Sequence, residues 1–379
     1  MKFNYSKGTH SRQAHTSIPE GTYEEELGRD GFFGDQVQFY RLNPNTNWTR
    51  IEGPLQPHSI QSYDLAPDDM NDLNGGPVKI LYNEDVSIFI SRRRETMPFF
   101  FRNADGDELH FIHKGEGRFE SDFGAMSFEV GDYILIPKGT NYRFVYKTDE
   151  NFSIIVESRY AIGFPERGII GHHAPFDYSK LETPEPDPVY ESDQDEWELR
   201  IKKHDQFTSV FYPFCPMDVV GWAGSLAVLK LNVRDISNLM SDGMHLPPSV
   251  HSTFTAKGLY VCTFRPRNLE ADPKVERVPW GHRNIDFDEV FFIHDGQFTM
   301  SRKEGGKGAA TGSISLNPAG LHHGAEPGVQ EASRQNWKKF ARSEVTALNI
   351  DVALPFTMTD AAKAVEVQDY YKIWAVPEG

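Results

Sequence analysis

The chain repeats itself. FRNADGDELHFIHKG, residues 101–115, returns as HRNIDFDEVFFIHDG, residues 282–296. Laying His282 over Phe101 sets an offset of 181, at which Arg102, Asn103, Asp107 and Glu108 recur as Arg283, Asn284, Asp288 and Glu289. Phe111, Ile112, His113 and Gly115 then recur as Phe292, Ile293, His294 and Gly296. A second match holds the same offset: PKGTNY, Pro137 to Tyr142, lies over PAGLHH, Pro318 to His323. Two matched stretches at one offset mean that one structural unit is built twice. At 379 residues there is room for two such units of ordinary domain size.

Each copy reads as strands. GRFESDFGAMSFEVGDYILIPKGTNYRFVY sets Gly, Asp and Pro between short apolar runs, and DEVFFIHDGQFTMSR with GSISLNPAGLHHG does the same in the second copy. The 24 Pro, 31 Gly and 13% aromatic residues suit short strands and turns, so an all-β fold is expected. The order of polar cluster, Glu, Gly and later Pro-x-Gly-x-x-His resembles the two motifs of the cupin family. That resemblance implies a bicupin: two jelly-roll β-barrel units with a few short helices, the copies lying near residues 80–160 and 245–355. Residues 182–198, ETPEPDPVYESDQDEWE, are too rich in Pro and carboxylates for a core strand and read as an acidic surface connection. The expected organisation is therefore residues 1–240 as an N-terminal arm, a unit without metal and the connection, and residues 241–379 as a metal-binding catalytic unit.

Charge and cysteine usage exclude other classes. With 55 acidic against 39 basic residues and a net charge of -16, a nucleic-acid partner is not expected, since phosphate binding needs concentrated Lys and Arg. The run Arg92-Arg93-Arg94 reads as a solvated strand end or a local salt-bridge partner. Two cysteines, Cys215 and Cys262, build no disulfide framework, and no CxxC occurs. No apolar run reaches the ~18 residues that a membrane crossing needs, and the first residues lack the apolar core of a secretory signal. A cytoplasmic protein with no membrane partner is expected.

Chemistry is read from how the copies differ. His282, Glu289 and His323 stand over Phe101, Glu108 and Tyr142, so both imidazoles are absent from the first copy together. Residues lost as a pair share a task. Two His and one carboxylate with open coordination positions form the facial pattern of non-haem Fe(II) oxygenases, so Fe(II) is the expected cofactor. Glu108, without its histidines, reads as a hydrogen-bonding structural residue, and His113 and His294, present in both copies, read as structural too. His322 is ambiguous, because a neighbour on a strand points to the opposite face.

Longer motifs then narrow the family. GTYEEELGRDGFFG, FCPMDVVGWAGSLAVLKLNVRDI, HLPPS, FTAKG, GHRNIDFDE and HHG together resemble the homogentisate 1,2-dioxygenase family. The resemblance implies a ring-cleaving dioxygenase that takes O2 and a small aromatic substrate, with Fe(II) held by His282, Glu289 and His323. It further implies homo-oligomers, trimers that pair into hexamers. By the same resemblance His245, in HLPPS, is an acid/base group at a substrate hydroxyl, while the residues alone read it as a loop histidine before Pro247-Pro248. His251, Arg283 and Phe298 are expected near the substrate, although the counterpart Arg102 makes a structural salt bridge the simpler reading of Arg283.

The pocket departs from the family pattern. Phe298 stands where the family places a tyrosine, Trp280-Gly281 replaces aromatic residues, Asn317 replaces a histidine, and His282 to Glu289 is one position longer. Another hydroxylated aromatic acid, gentisate-like, is thus an alternative substrate, and a non-oxygenase cupin an alternative class.

Overall fold

A computed structural model describes residues 5–187, 194–277, 280–296, 310–325, 329–338 and 341–375. The N-terminal segment holds β1 (Tyr23–Gly28), β2 (Gln36–Arg41) and β3 (His58–Gln61). The first copy follows with β4 (Val78–Tyr82), β5 (Val86–Ser91), β6 (Phe100–Asn103), β7 (Asp107–Lys114), β8 (Gly117–Ser121) and β9 (Gly124–Phe128). It closes with β10 (Asp132–Ile136), β11 (Asn141–Tyr146) and β12 (Phe152–Ser158), and the connection carries β13 (Trp197–Lys203), β14 (Gln206–Tyr212) and β15 (Leu229–Asn232). The second copy has β16 (Ser252–Ala256), β17 (Leu259–Phe264), β18 (Arg267–Asn268), β19 (Gly281–Asn284), β20 (Asp288–Asp295), β21 (Ser313–Asn317), β22 (Arg342–Ser343), β23 (Thr346–Val352) and β24 (Thr357–Met358). Two short α-helices, Val329–Gln335 and Asp360–Ala364, complete an all-β bicupin. No helix among the described residues is long and apolar enough to cross a membrane.

The repeat is carried into the sheets. One large sheet runs β15-β10-β7-β12-β5-β4-β24, and the other runs β3-β21-β20-β23-β17-β16. Strands β6 and β19, β7 and β20, and β10 and β21 are equivalent at the offset of 181. The outer strands come from elsewhere in the chain. Hairpin β13–β14 pairs in parallel with β6 through β13, and hairpin β1–β2 pairs in parallel with β19 through β1. Likewise β15 borders β10, while β3 borders β21. The N-terminal segment therefore completes the second unit, and the connecting segment completes the first. The expected division at residue 240 follows chain order, whereas the hydrogen bonds cross it.

Strand alternation explains where the core sits. On β7 Leu109 and Phe111 face one way and Glu108, His110 and Ile112 the other, and all five are buried because protein covers both faces. Leu109, Phe111, Ile154 and Ile88 of one large sheet meet Val290, Phe292, Leu348 and Ile350 of the other, forming the largest core between the units. Each such side chain contributes roughly 1.5–3 kcal/mol of burial. The opposite face of β7 looks into the first barrel, which Ile112, Phe119, Phe128, Ile134, Tyr142 and Phe144 fill.

The recurring polar residues are framework. Asn103 Oδ1 accepts from the amides of Asp105 at 2.8 Å and Gly106 at 3.1 Å; Asn284 Oδ1 accepts from Asp286 and Phe287, both at 3.2 Å. Both are side-chain turns that fix the sharp bend between the paired strands. Asp107 and Asp288 accept from the amides of Lys138 and Ala319, both at 2.8 Å, tying each strand to its Pro-x-Gly loop. Gly115 and Gly296 end the strands with φ of 98° and 79°, where a side chain would be strained.

Candidate metal centre

Strands β19 and β20 and the Pro-x-Gly loop bring three residues of the second copy together. His282 and His323 face each other across a reciprocal main-chain pair, each amide donating to the other's carbonyl at 2.9 Å. In the first copy Phe101 and Tyr142 occupy the equivalent paired positions. Glu289, the second residue of β20, points inward as Glu108 does on β7. Ligand atoms of His282, Glu289 and His323 all lie within 4.8 Å of one another. His323 Nε2 is 3.1 Å and His282 Nε2 is 3.8 Å from opposite oxygens of Glu289.

The orientation of both rings is set by the main chain. His282 Nδ1 lies 3.0 Å from the carbonyl of Trp280, and His323 Nδ1 lies 3.2 Å from that of Leu321. Each Nδ1–H is thereby spoken for, leaving Nε2 with its lone pair toward the cluster. His282 Nε2 is buried and has no hydrogen-bond partner among the described residues. Such an orphaned atom, beside a second imidazole and a buried carboxylate, is what a divalent cation satisfies, so the donor set fits Fe(II). Burial alone would push the Glu289 carboxyl up, but His323 and His282 pull it well below the usual carboxylate range. Asp351, its partner across β20 and β23, is pushed far up by burial and by the Glu289 charge, and it accepts from Asn349 Nδ2 at 2.8 Å.

In the first unit the same place is filled. Tyr142 donates its hydroxyl to Glu108 Oε2 at 2.6 Å, and the rings of Phe101, His110, Phe119 and Phe144 pack against Tyr142. The carboxylate is satisfied by a phenol rather than presented to an ion.

Other expected site residues fall at varying distances from the cluster. His245 packs edge-on against Trp280, with centroids 5.0 Å apart, and Trp280 also contacts His282 at 6.5 Å. His251 is 2% exposed and packs on Phe264; burial, with Arg267 and His245 nearby, lowers its pKa to about 3, so it is neutral. Arg283 is turned away, because it neighbours His282 on a strand and so takes the opposite face. There its Nε lies 3.2 Å from the buried Glu25, which also contacts His322 Nε2 at 2.8 Å and pairs with Arg41. Burial pushes the Glu25 carboxyl up, but His322 and Arg41 hold it down at about 2. His322 belongs to that ion cluster. Phe298 lies outside the described residues.

Three further residues lie beside the centre, and of these Glu26 was not singled out from the sequence. His15 is buried, its Nδ1 2.6 Å from Glu24 and its Nε2 3.2 Å from Glu26, and its ring stacks on Trp280. Glu26 is the direct partner of His282 in the β1–β19 ladder and faces the same way. The signal was YEEELG: three consecutive Glu inside a strand are solvated on one side at most unless each has a partner. Asn317, opposite Glu289 in the β20–β21 ladder, presents a buried Oδ1 without a partner on the cluster side.

With this geometry in hand, comparison with known proteins decides the family. The family described as homogentisate 1,2-dioxygenase N-terminal matches residues 38–233, just over half of the chain. The chain belongs to the homogentisate 1,2-dioxygenase family. A homogentisate 1,2-dioxygenase of Rhizobium rhizogenes is 30% identical over 285 residues, covering 71% of this chain and 60% of that protein. The one from Nitrobacter hamburgensis is 28% identical over 72% of this chain and 61% of its own length. The chain thus aligns with about three fifths of these family members. A candidate dioxygenase of Saccharolobus solfataricus is 29% identical over 99% of both chains. Among solved structures, a cupin 2 conserved barrel domain protein from Leptotrichia buccalis is 11% identical, covers 81% of this chain and 99% of its own, and has a TM-score of 0.35, a likeness on which nothing rests.

Proposed function

We propose that the chain is an Fe(II)-dependent aromatic ring-cleaving dioxygenase that converts homogentisate, or a close analogue, and O2 to the opened ring, maleylacetoacetate for homogentisate itself. The observation that carries this reading is the His282–Glu289–His323 cluster, with ligand atoms within 4.8 Å, in a chain of this family. His282, Glu289 and His323 would hold Fe(II) there, and it would supply the one-electron chemistry that lets O2 react with an aromatic ring.

The protein's own residues orient and move protons. The main-chain contacts of Trp280 and Leu321 keep both ligand imidazoles turned. His245, at the edge of Trp280, takes the proton of a substrate hydroxyl and so raises electron density in the ring. The resemblance also supports a homo-oligomeric assembly.

A second reading keeps the chemistry and changes the ring. Asn317 offers an acceptor on the cluster side, and Phe298 lacks the hydroxyl of the family tyrosine, which favours another hydroxylated aromatic acid, gentisate-like. An oxygen electrode separates the readings. Protein loaded anaerobically with Fe(II) consumes O2 when homogentisate is added under the first, and with a different hydroxylated aromatic acid under the second. No uptake with any such acid, from folded and iron-loaded protein, overturns both and leaves a non-oxygenase cupin.

A further inference from the structure

We propose that Glu270 is the positioning residue for His245, holding its imidazole in the Nδ1–H form so that Nε2 is the atom that accepts the substrate proton. Glu270 follows β18 and is 1% exposed. Its Oε1 lies 3.0 Å from His245 Nδ1, an ion-pair distance without the alignment of a full hydrogen bond, and His245 is itself 8% exposed. The residue is anchored from behind, chiefly at its main chain. Arg277 donates through Nε at 2.8 Å, and through Nη2, to the Glu270 main-chain carbonyl, and Arg267 Nη1 lies 3.6 Å from Oε1. Trp280, perpendicular to the His245 ring, bounds its other side.

A buried carboxylate is sustained only where something charged or protic meets it. Burial pushes Glu270 up, yet His245 and then Arg267 bring it below the usual carboxylate range, so it is ionised. An ionised carboxylate accepts and cannot donate, so the His245 nitrogen facing it carries the hydrogen. The other nitrogen then has the lone pair. In the reaction the substrate O–H breaks, an Nε2–H bond forms, and the imidazolium charge is stabilised by Glu270 until the proton returns to product. This is the division of labour of a His–carboxylate dyad, in which the acid orients and never itself takes the proton.

The inference rests on the reading of His245 as the acid/base group, and the test separates the two. Glu270→Gln, nearly isosteric, is expected to lower kcat roughly 10-fold or more, within the ~100-fold or more that loss of a general base brings. KM and iron content stay near wild type, and Glu270→Asp recovers part of kcat. A proposal about tautomer needs a tautomer readout. In 15N-histidine full-length protein, with Zn(II) in place of Fe(II), His245 is expected as Nδ1–H in the wild type and as a mixture or the Nε2–H form in Glu270→Gln. Wild-type His245 as Nε2–H, or an unchanged tautomer and kcat in the folded variant, overturns the role of Glu270. Wild-type kcat in His245→Gln overturns the acid/base reading instead, whatever Glu270 does.

Discussion

His113 and His294, equivalent residues 181 positions apart, meet with their Nδ1 atoms 2.8 Å apart. Around them Phe111 packs on His294 at 4.8 Å while His113 packs on Phe292 at 5.0 Å, so each copy makes the contact that the other returns. Such a self-complementary contact is what a two-fold dimer interface has, here within one chain. The Tyr63 hydroxyl lies 2.7 Å from His113 Nε2, and between the facing Nδ1 atoms one imidazole donates and the other accepts. Protonating both rings would set two N–H groups face to face, so the contact survives only while at least one imidazole is neutral.

That pair predicts acid sensitivity. Burial, then the neighbouring His294 and Lys114, lowers His113 to about 3, and burial lowers His294 to about 4, against an ordinary 6.5. Below pH 6.5 the unfolded chain takes up protons that the folded one refuses, so this contribution is whole above 6.5 and declines toward pH 4, by up to ~1.4 kcal/mol per pH unit per group. Urea unfolding of His294→Gln from pH 4 to 7 is expected to show a shallower pH slope than wild type. Equal slopes refute the assignment.

His15 predicts the opposite slope. Burial alone would lower its pKa, but Glu24 and Glu26 outweigh that and raise it above 6.5. Its contribution is present below pH 6.5 and is lost as pH rises through the folded value. His15→Gln leaves two buried carboxylates facing each other and is expected to destabilise by ~3–5 kcal/mol near pH 6. Adding Glu24→Gln recovers part of that, as a double-mutant cycle by chemical denaturation reads directly; simple additivity means no coupling.

For the cluster, His282→Ala or His323→Ala is expected to abolish the stoichiometric iron binding proposed above. Iron per chain, measured on folded protein by elemental analysis, is the check. A content near one in His323→Ala refutes the triad as drawn.

Tyr142→Phe removes the phenol that satisfies Glu108 inside the first barrel. A loss of ~1–3 kcal/mol is expected, the penalty of a buried acceptor left without its donor. Iron content and O2 uptake are expected unchanged; a fall in either links the two barrels chemically.

Much of this was legible in the sequence because the repeat acts as its own alignment. Residues kept at both positions, such as Asn103 and Asn284, are turn and strand framework, and the His282 and His323 exchanges fall on one reciprocal strand pair. Arg283 was open to misreading for a different reason: period-two alternation puts it opposite His282, but only the partner Glu25, supplied by β1, says what it does there. The roles of His15, Glu26 and Glu270 were hidden because their partners are set by pairing between segments far apart in the chain. Parallel pairing of β1 with β19 leaves no local pattern to read.

The borrowing of β1–β3 by the second barrel also sets a timetable. During synthesis the residues that will flank the His282–Glu289–His323 cluster leave the ribosome first, and β19 and β21, with which β1 and β3 pair, leave near the end. The first unit has all its strands but β24 once β15 is made, whereas the second must wait with its opening strands unpaired until β19 and β21 follow. Completion of the second unit is therefore the closing act of the newborn chain, and a product truncated before β19 would leave β1 and β3 without their partners β19 and β21.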